Sequence, residues 1–316
     1  MEKSARILVA GGRGLVGSAI VRRLTKGGFE TVLAPPRAEL NLADRGSTDA
    51  YFAANKPTHV FMAAAKVGGI LANSTYPGDF IRENLAIELN IIEAARQHGT
   101  EKFVFLGSSC IYPKMSPQPI REDYLLTGEL EATNRAYAIA KIAGIEMIRS
   151  YREQYGFSGI SLMPTNLYGP GDNFDLQNSH VLPALIRKFH EAKLAHEPNV
   201  VVWGSGTPRR EFLHVDDLAD ACVHLMQVYD SSDIVNIGVG EDIAIGDVAQ
   251  LVSKVVGYRG DIVYDRSKPD GTPRKLLDVG RLHATGWKAK IGLEEGITGT
   301  YQSYLEGLRA GAIGAA

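Results

Sequence analysis

The sequence predicts an α/β protein built on a doubly wound parallel sheet, and two observations lead to that prediction. Short apolar runs of strand length alternate with helical patterns over the first half of the chain. The first of these runs leads directly into a glycine-rich loop that is followed by a helical pattern. Runs that are apolar at every position are typical of strands buried on both faces.

Five strands are predicted before residue 166, with helical patterns between them. They are RILVA (Arg6 to Ala10), ETVLA (Glu30 to Ala34), HVFMAAA (His59 to Ala65), KFVFLGSS (Lys102 to Ser109) and GISLMPT (Gly159 to Thr165). A helix is predicted over residues 79–99, and its expected buried face consists of Ile81, Leu85, Leu89, Ile92 and Ala95.

Two domains are predicted from a change in the alternation of strands and helices along the chain. Residues 1–165 form a dinucleotide-binding domain, and residues 166–316 form mainly a smaller, substrate-binding lobe. After about Asn166 the regular alternation of strand and helix loosens. We expect the second part to interleave with the first and to return elements to it.

Composition narrows the class of protein. The chain has 316 residues with 34 Lys and Arg against 36 Asp and Glu, a formal net charge of -2. This balance favours neither nucleic acid nor an anionic membrane as a partner. The two cysteines, Cys110 and Cys222, are too few for a disulfide framework. With neither a signal peptide nor a transmembrane run in the sequence, we expect a cytoplasmic protein without a metal.

The glycine loop predicts a dinucleotide site. The segment GGRGLVG contains Gly11, Gly12, Gly14 and Gly17 between a strand and a helix, where backbone N–H groups approach a pyrophosphate. The alternative is a plain turn between two elements. Arg37, after the second strand, stands in the region where an NAD site has an acidic residue, and Arg13 lies in the glycine loop itself. Two guanidinium groups favour NADP(H), unless they are only surface charges.

A tyrosine and a lysine four residues apart predict a proton-transferring pair. Tyr137 and Lys141 lie on a helical pattern, so they share one face of one turn. The lysine charge is expected to lower the phenol pKa, which is about 10 unperturbed. Ser108 ends the fourth predicted strand and is expected beside this pair. The alternative is an amphipathic helix that simply packs a tyrosine.

With these residues the chain resembles the extended short-chain dehydrogenase/reductases, and within them the GDP-L-fucose synthase family. The similarity runs through nearly the whole chain and is carried by long strings. They are AAAKVGGI, GSSCIYP, YAIAKIAGI, MPTNLYGP, NSHVLPAL, VVVWGSGTPRREFLHVDDLADA and KPDGTPRKLLD. The resemblance implies a Rossmann-like fold, a homodimer and an NADPH-dependent enzyme that epimerises GDP-4-keto-6-deoxy-D-mannose at C3 and C5 and then reduces it at C4.

The same resemblance implies roles for individual residues. The implied catalytic triad is Ser108, Tyr137 and Lys141, and the implied epimerisation pair is Cys110 and His180. The implied cofactor-binding residues are Gly11, Gly12, Arg13, Gly14, Leu15, Val16, Gly17, Arg37, Leu106, Gly107, Ser108, Ser109, Lys141, Pro164, Thr165, Asn166, Leu167 and His180. The implied contacts to the nucleotide sugar are Lys188, Trp203, Arg210 and Asp270.

Each of these residues also has a structural interpretation. Cys110 has the residue type of a buried core thiol, and His180 stands where a helix begins. If the strand geometry persists, Ser108 and Cys110 share one face and Ser109 points away. Trp203 can pack a sheet, and Arg209 and Arg210 can be surface charges. For Cys222 we predict the core.

Two other functions remain open. The first is a nucleotide-sugar 4,6-dehydratase or 4-epimerase on the same fold; the dehydratases carry an acidic residue just after the active-site Ser or Thr, and GSSCIYP has none. The second is a dinucleotide sensor without catalysis, against which the intact Tyr137 and Lys141 count. A related GDP-linked 4-keto deoxyhexose is also compatible with the sequence.

Overall fold

The strands follow the predicted positions closely in a computed structural model of the chain, which describes residues 1–176, 179–268, 270–311 and 313. In chain order they are β1 (Arg6–Ala10), β2 (Thr31–Leu33), β3 (His59–Met62), β4 (Lys102–Leu106), β5 (Gly159–Pro164), β6 (Asn166–Tyr168), β7 (Asn199–Trp203), β8 (Arg209–Arg210), β9 (Phe212–His214), β10 (Val235–Ile237), β11 (Ile243–Ala244), β12 (Asp261–Asp265) and β13 (Arg274–Lys275).

Six of these strands form one central sheet in the order β10-β5-β4-β3-β1-β2. Every neighbouring pair in it is parallel. The carboxyl ends of the strands therefore meet at one edge, which is where ligands bind in open sheets of this kind. The predicted α/β fold with a Rossmann-like parallel sheet is confirmed.

Helices occupy most of the connections. They are α1 (Leu15–Lys26), α2 (Arg45–Asn55), α3 (Ile70–Thr75), α4 (Pro77–Gln97), α5 (Arg135–Tyr155), α6 (Val181–Leu194), α7 (Val215–Val228), α8 (Ile245–Val256), α9 (Gly280–Ala284) and α10 (Leu293–Arg309). α4 packs against α2 and α5, while α1 packs against α7. Among the described residues, none of the helices has both the length and the apolar character needed to cross a membrane.

The part of the chain after residue 166 contributes to two hydrophobic cores. α7 and β10 belong to the core around the central sheet, with Cys222 fully buried there as predicted. The second core is built from α6, α8 and α10, together with β7 and its neighbours. β7 pairs with β12 in a small parallel sheet, and β8 pairs with β11 and β13 in another.

Two strands are shorter in the structure than the sequence predicts. β3 ends at Met62 rather than Ala65, and β4 ends at Leu106 rather than Ser109. The residues after β4 instead form a 3-10 turn at Ser109–Ile111. The small and polar residues after these strands continue the strand pattern in the sequence. In the structure they leave the sheet and line the edge of a cleft.

The predicted buried face of α4 is wrong in part. Leu85 and Leu89 are 37% and 55% exposed, while Ile92 and Ala95 are buried. The inward face instead carries Phe80, Asn84 and Glu88. An apolar stripe predicts the buried face of a helix only when the core is the only apolar surface that the helix contacts. On α4, polar side chains occupy part of the face that points to the core.

Glu211 connects three segments near the cleft through its buried carboxylate. It directly precedes β9, and its oxygens accept hydrogen bonds from the backbone N–H groups of Val239 (2.7 Å), Gly240 (2.7 Å) and Leu277 (3.1 Å). The side chain is fully buried. These bonds hold the loop after β10 and the segment after β13 against β9.

We expect Glu211→Ala to lower the free energy of unfolding by roughly 3 kcal/mol or more, because three buried N–H groups lose their acceptor. Urea unfolding followed by circular dichroism measures the change. Glu241→Ala, which removes an exposed carboxylate nearby, is the matched control. Equal stability of the two variants would contradict this role for Glu211.

Candidate active site

A cleft of about 700 Å³ lies at the carboxyl edge of the central sheet. It receives residues from the loops after β1, β2, β4 and β5, from α5, and from the segments that hold His180 and Lys275. The predicted cofactor-binding and catalytic residues that line it are Gly11, Arg13, Gly14, Leu15, Val16, Gly17, Arg37, Leu106, Gly107, Ser108, Ser109, Cys110, Tyr137, Lys141, Pro164, Thr165, Asn166, Leu167 and His180.

The glycine loop brings backbone close to backbone at the start of α1. A Cβ atom added to Gly17 would lie 2.1 Å from the carbonyl oxygen of Gly11, which itself has a positive φ of 79°. Gly12 does not line the cleft, since its Cβ would meet Ala34 at 2.7 Å on the protein side. The loop thus presents main chain and the N-terminus of α1 to the cleft, an arrangement that fits a pyrophosphate.

Arg13 and Arg37 are exposed where they line this end of the cleft. Within the described part of the chain neither guanidinium forms an ion pair or a side-chain hydrogen bond. Two unpaired guanidinium groups fit a phosphate better than a neutral ribose. The donor set at this end of the cleft therefore fits the 2′-phosphate of NADP(H).

Ser108 and Cys110 enter the cleft through a turn and not through an extended strand. Ser108 caps the 3-10 turn, and its hydroxyl accepts a hydrogen bond from the N–H of Cys110 (3.2 Å). Both side chains do reach the cleft. The expected cause, alternation along an extended strand, is wrong, because a turn places them there. Ser109 is buried, at 4% exposure, yet part of it also borders the cleft.

Tyr137 lies next to Ser108, and burial raises the pKa of its phenol. The nearby groups Cys110 and Glu88 raise this pKa further, while the hydroxyl of Ser108 opposes them. The expected lowering by Lys141 is not found, because the lysine charge is directed to Glu88 instead. Tyr137 is consequently held protonated, the form that donates a proton.

Lys141 is almost completely buried, with 1% of its surface exposed. Its Nζ lies 3.2 Å from Oε1 of Glu88 and 5.9 Å from the centroid of the Tyr137 ring. Burial lowers the pKa of Lys141 and raises the pKa of Glu88 to about 7, and the attraction between the two groups opposes both shifts. The pair lies directly beneath the cleft.

Two donors face the sulfur of Cys110. The Nδ2 group of Asn134 donates a hydrogen bond to Sγ at 3.3 Å, and Nζ of Lys275 approaches it at 3.7 Å. Cys110 is half-buried in the cleft wall and is not part of the core. Cys110 therefore has a cation and an N–H donor beside its sulfur, the kind of surroundings in which reactive cysteines are found.

His180 directly precedes α6 as its N-cap residue, but its side chain forms no cap hydrogen bond with the described residues. The imidazole is open to the cleft. The protein around it and the charge of Lys275 lower its pKa, which favours the neutral ring near pH 7. A neutral imidazole accepts a proton first and only then acts as an acid.

The predicted nucleotide-sugar contacts lie outside this cleft. Nζ of Lys188 donates to the carbonyl of Val201 and lies 5.1 Å from the ring centroid of Trp203. The indole is 62% exposed, so Trp203 does not pack the sheet. Asp270 accepts hydrogen bonds from the N–H (2.6 Å) and the hydroxyl of Ser205 (2.8 Å).

Arg210 joins this second group of residues to the cleft. It lies opposite Lys275 in the pairing of β8 with β13. Burial lowers its pKa, and the charge of Asp270 opposes that shift. The neighbouring Arg209 points elsewhere, since its guanidinium pairs with Asp242. The backbone of Arg210 therefore lies beside that of Lys275, whose side chain approaches Cys110.

The sequence analysis does not identify three residues of the site, namely Glu88, Asn134 and Lys275. Of these, Glu88 has a local signal, because it interrupts an apolar helical pattern. Lys275 is 165 residues away from Cys110 in the chain. Among the described residues no group of three or more His, Cys, Asp or Glu side chains is arranged to hold a metal.

The sequence and the fold are similar to those of known proteins. The model of the NAD dependent epimerase/dehydratase family matches residues 7–238. The chain is 58% identical to "Putative GDP-L-fucose synthase 2" of Arabidopsis thaliana, covering 97% of this chain and 93% of the relative. It is 55% identical to "GDP-L-fucose synthase" of Escherichia coli strain K12, covering 95% of this chain and 97% of that one.

A solved structure is similar over the same length. It is that of a GDP-L-fucose synthetase from Naegleria fowleri bound to NADP, with a TM-score of 0.90 and 30% sequence identity. The match covers 98% of this chain and 96% of the other. Similarity over nearly the full length includes the second core as well as the central sheet.

We expect Lys275→Met to slow the alkylation of Cys110 by iodoacetamide several-fold at pH 7.5, because the thiolate loses its neighbouring cation. Mass spectrometry of the labelled peptide follows the rate. Lys288→Met, which removes an exposed lysine, serves as the control. Buried Cys222 stays unlabelled in the folded protein. An unchanged rate in Lys275→Met would rule out this effect of the lysine.

Proposed function

The chain belongs to the NAD dependent epimerase/dehydratase family, and on that premise we propose that it converts GDP-4-keto-6-deoxy-D-mannose to GDP-L-fucose with NADPH. The reaction inverts C3 and C5 and reduces C4. The observation that carries the proposal is the presence of a donor-flanked thiol, Cys110, in the same cleft as the Ser108–Tyr137 pair. Reduction alone requires no thiol.

The inversions depend on the C4 ketone, which makes the hydrogens at C3 and C5 acidic. Cys110 is proposed to remove these protons, with Asn134 and Lys275 stabilising its thiolate. His180 is proposed to take up a proton from solvent and to return it on the opposite face, while Cys110 releases its proton to solvent before the next inversion. The hydroxyls of Tyr137 and Ser108 donate hydrogen bonds to the enolate oxygen and so lower the barrier to both inversions.

Reduction uses the same tyrosine. Bound NADPH supplies the hydride that C4 accepts. Tyr137 protonates the C4 oxygen, and its raised pKa keeps the required proton in place. Lys141 is proposed to hold the cofactor ribose while its charge stays next to the phenol. Removal of the ketone ends the acidity of C3 and C5, so the new configuration is retained.

The cofactor is proposed to be NADP(H) and not NAD(H). The support comes from Arg13 and Arg37, which lie unpaired at the cleft, and from the Naegleria fowleri structure, which contains NADP. The other residues proposed to bind it are the loop Gly11–Gly17, the segment Leu106–Ser109, Lys141, the segment Pro164–Leu167 and His180.

The GDP part of the substrate is proposed to lie along the second group of residues. Arg210 suits the diphosphate, since its guanidinium can bind phosphate oxygens and its backbone pairs with that of Lys275 at the edge of the cleft. The exposed ring of Trp203 suits stacking on guanine, with Lys188 beside it. Asp270 is proposed to complete this end by holding the loop of Ser205.

The chain is also proposed to be a homodimer through α4 and α5. Leu85 and Leu89 lie one turn apart on the outer side of α4, and Ile139 is 41% exposed on α5. Exposed apolar side chains on two adjacent helices are typical of a subunit interface. The cytoplasm is proposed as the compartment, because its reducing conditions keep the free thiol of Cys110 available.

We expect turnover of GDP-4-keto-6-deoxy-D-mannose with NADPH in heavy water to place deuterium at C3 and C5 of the product, because each inversion exchanges a proton with solvent. Mass spectrometry and NMR of the product locate the label. A reduced product without deuterium at either carbon would contradict epimerisation.

The two steps are expected to separate by mutation. Cys110→Ser should lower deuterium exchange by about 100-fold or more while NADPH still binds, because a serine hydroxyl is a far weaker base. Tyr137→Phe should lower NADPH oxidation by a similar factor. Cys222→Ala, a change at the buried thiol, is the control for exchange. Normal exchange in Cys110→Ser would return that cysteine to a structural role.

Leu89→Lys is expected to shift the protein from dimer to monomer, because it places a charge in the apolar interface. Analytical ultracentrifugation measures the mass in solution. Leu194→Lys, at a position 67% exposed at the end of α6, is the control that should leave the dimer intact. A wild-type protein that sediments as a monomer would refute the interface.

A further inference from the structure

Glu88 is a buried carboxylic acid, and burial of its ionised form costs free energy. It lies on the inner face of α4 with 2% of its surface exposed. Neither carboxylate oxygen has a hydrogen-bond partner among the described residues apart from the approach of Lys141 at 3.2 Å. A buried, ionised carboxylate that lacks other hydrogen-bond donors destabilises the folded state. Its presence in the core therefore indicates that its charge has a role.

The neighbouring helix leaves room for this carboxylate. Gly144 lies one turn after Lys141 on α5, and a Cβ atom there would come 3.0 Å from Oε2 of Glu88 and 2.4 Å from the ring of Phe105. The ring of Phe105 also faces Nζ of Lys141, at 4.8 Å from its centroid. Glu88 and Lys141 are thus enclosed together by α5 and β4.

Few charges act on this enclosed pair. Lys141 is the charged group that acts on Glu88, and Glu88 in turn raises the pKa of both Lys141 and Tyr137. On the side of the 3-10 turn, Cys110 acts on Tyr137. Lys66, which precedes α3, pairs with Glu83 on another turn of α4. Glu88 is therefore the buried counter-charge of the catalytic lysine and tyrosine.

We infer that Glu88 is a positioning residue that holds Lys141 in place and keeps it protonated, and that it sets the upper pH limit of cofactor binding and C4 reduction. This inference rests on the proposed function for the reduction but not for the binding of NADPH. Glu88 does not touch the sugar and acts through Lys141. Loss of its negative charge lowers the pKa of Lys141 and of Tyr137 alike, so both effects move the alkaline limit in one direction.

The test is the pH dependence of NADPH binding and of kcat in Glu88→Gln, which removes the charge and keeps the size. We expect the alkaline limb of both profiles to move about one pH unit lower than in wild type, as for loss of a charge within hydrogen-bond distance. Glu153→Gln removes an exposed carboxylate from α5 and should leave both profiles unchanged. Nucleotide fluorescence gives the affinity, and NADPH oxidation gives kcat.

A lower kcat at every pH with an unmoved alkaline limb would overturn the inference and leave Glu88 with a packing role. If Glu88→Gln does not fold, the pair Glu88→Asp and Glu88→Asn gives the same comparison, because the two side chains differ in charge and hardly in size. If the wild type does not turn over the sugar, the proposed function fails. The pH dependence of NADPH binding then decides the role of Glu88 by itself.

Discussion

The parallel pairing of the six central strands is the constraint on which the active site depends. Because all six strands run in one direction, the loops after β1, β4 and β5 open at the same edge. The glycine loop, Ser108 and Thr165 meet there although they are far apart in the chain. α5 then carries Tyr137 and Lys141 to the same edge. The side chains proposed for both reactions therefore lie in one cleft.

Buried charge is the second property that unites the site. Lys141 and Glu88 form a buried ion pair, and Lys275, next to Cys110, forms no ion pair with a carboxylate among the described residues. The buried ion pair lies beside Tyr137, which is proposed to serve reduction. Lys275 lies beside the thiol that is proposed to serve epimerisation. The two proposed proton transfers thus have different electrostatic surroundings in one cleft.

The pattern of residue types along the chain predicts the structure correctly where the surroundings of a residue are formed by its neighbours in sequence. The strands β1 and β5 and the glycine loop follow such patterns, and the structure has them where the sequence predicts them. The pattern was misleading on α4, where Leu85 and Leu89 face outward and Glu88 faces inward. It was also misleading after β4, because Ser108 caps a turn that resembles a strand in its residue types.

The sequence by itself determined the fold class and the position of the glycine loop, since periodicity and glycine spacing are local properties. Tertiary structure decided what surrounds the side chains that line the cleft. Lys275 reaches Cys110 across 165 residues, and Glu88 reaches Lys141 from another helix. Only the packing of distant elements sets such distances. The electrostatic field at a reacting atom depends on those distances and not on the order of residues along the chain.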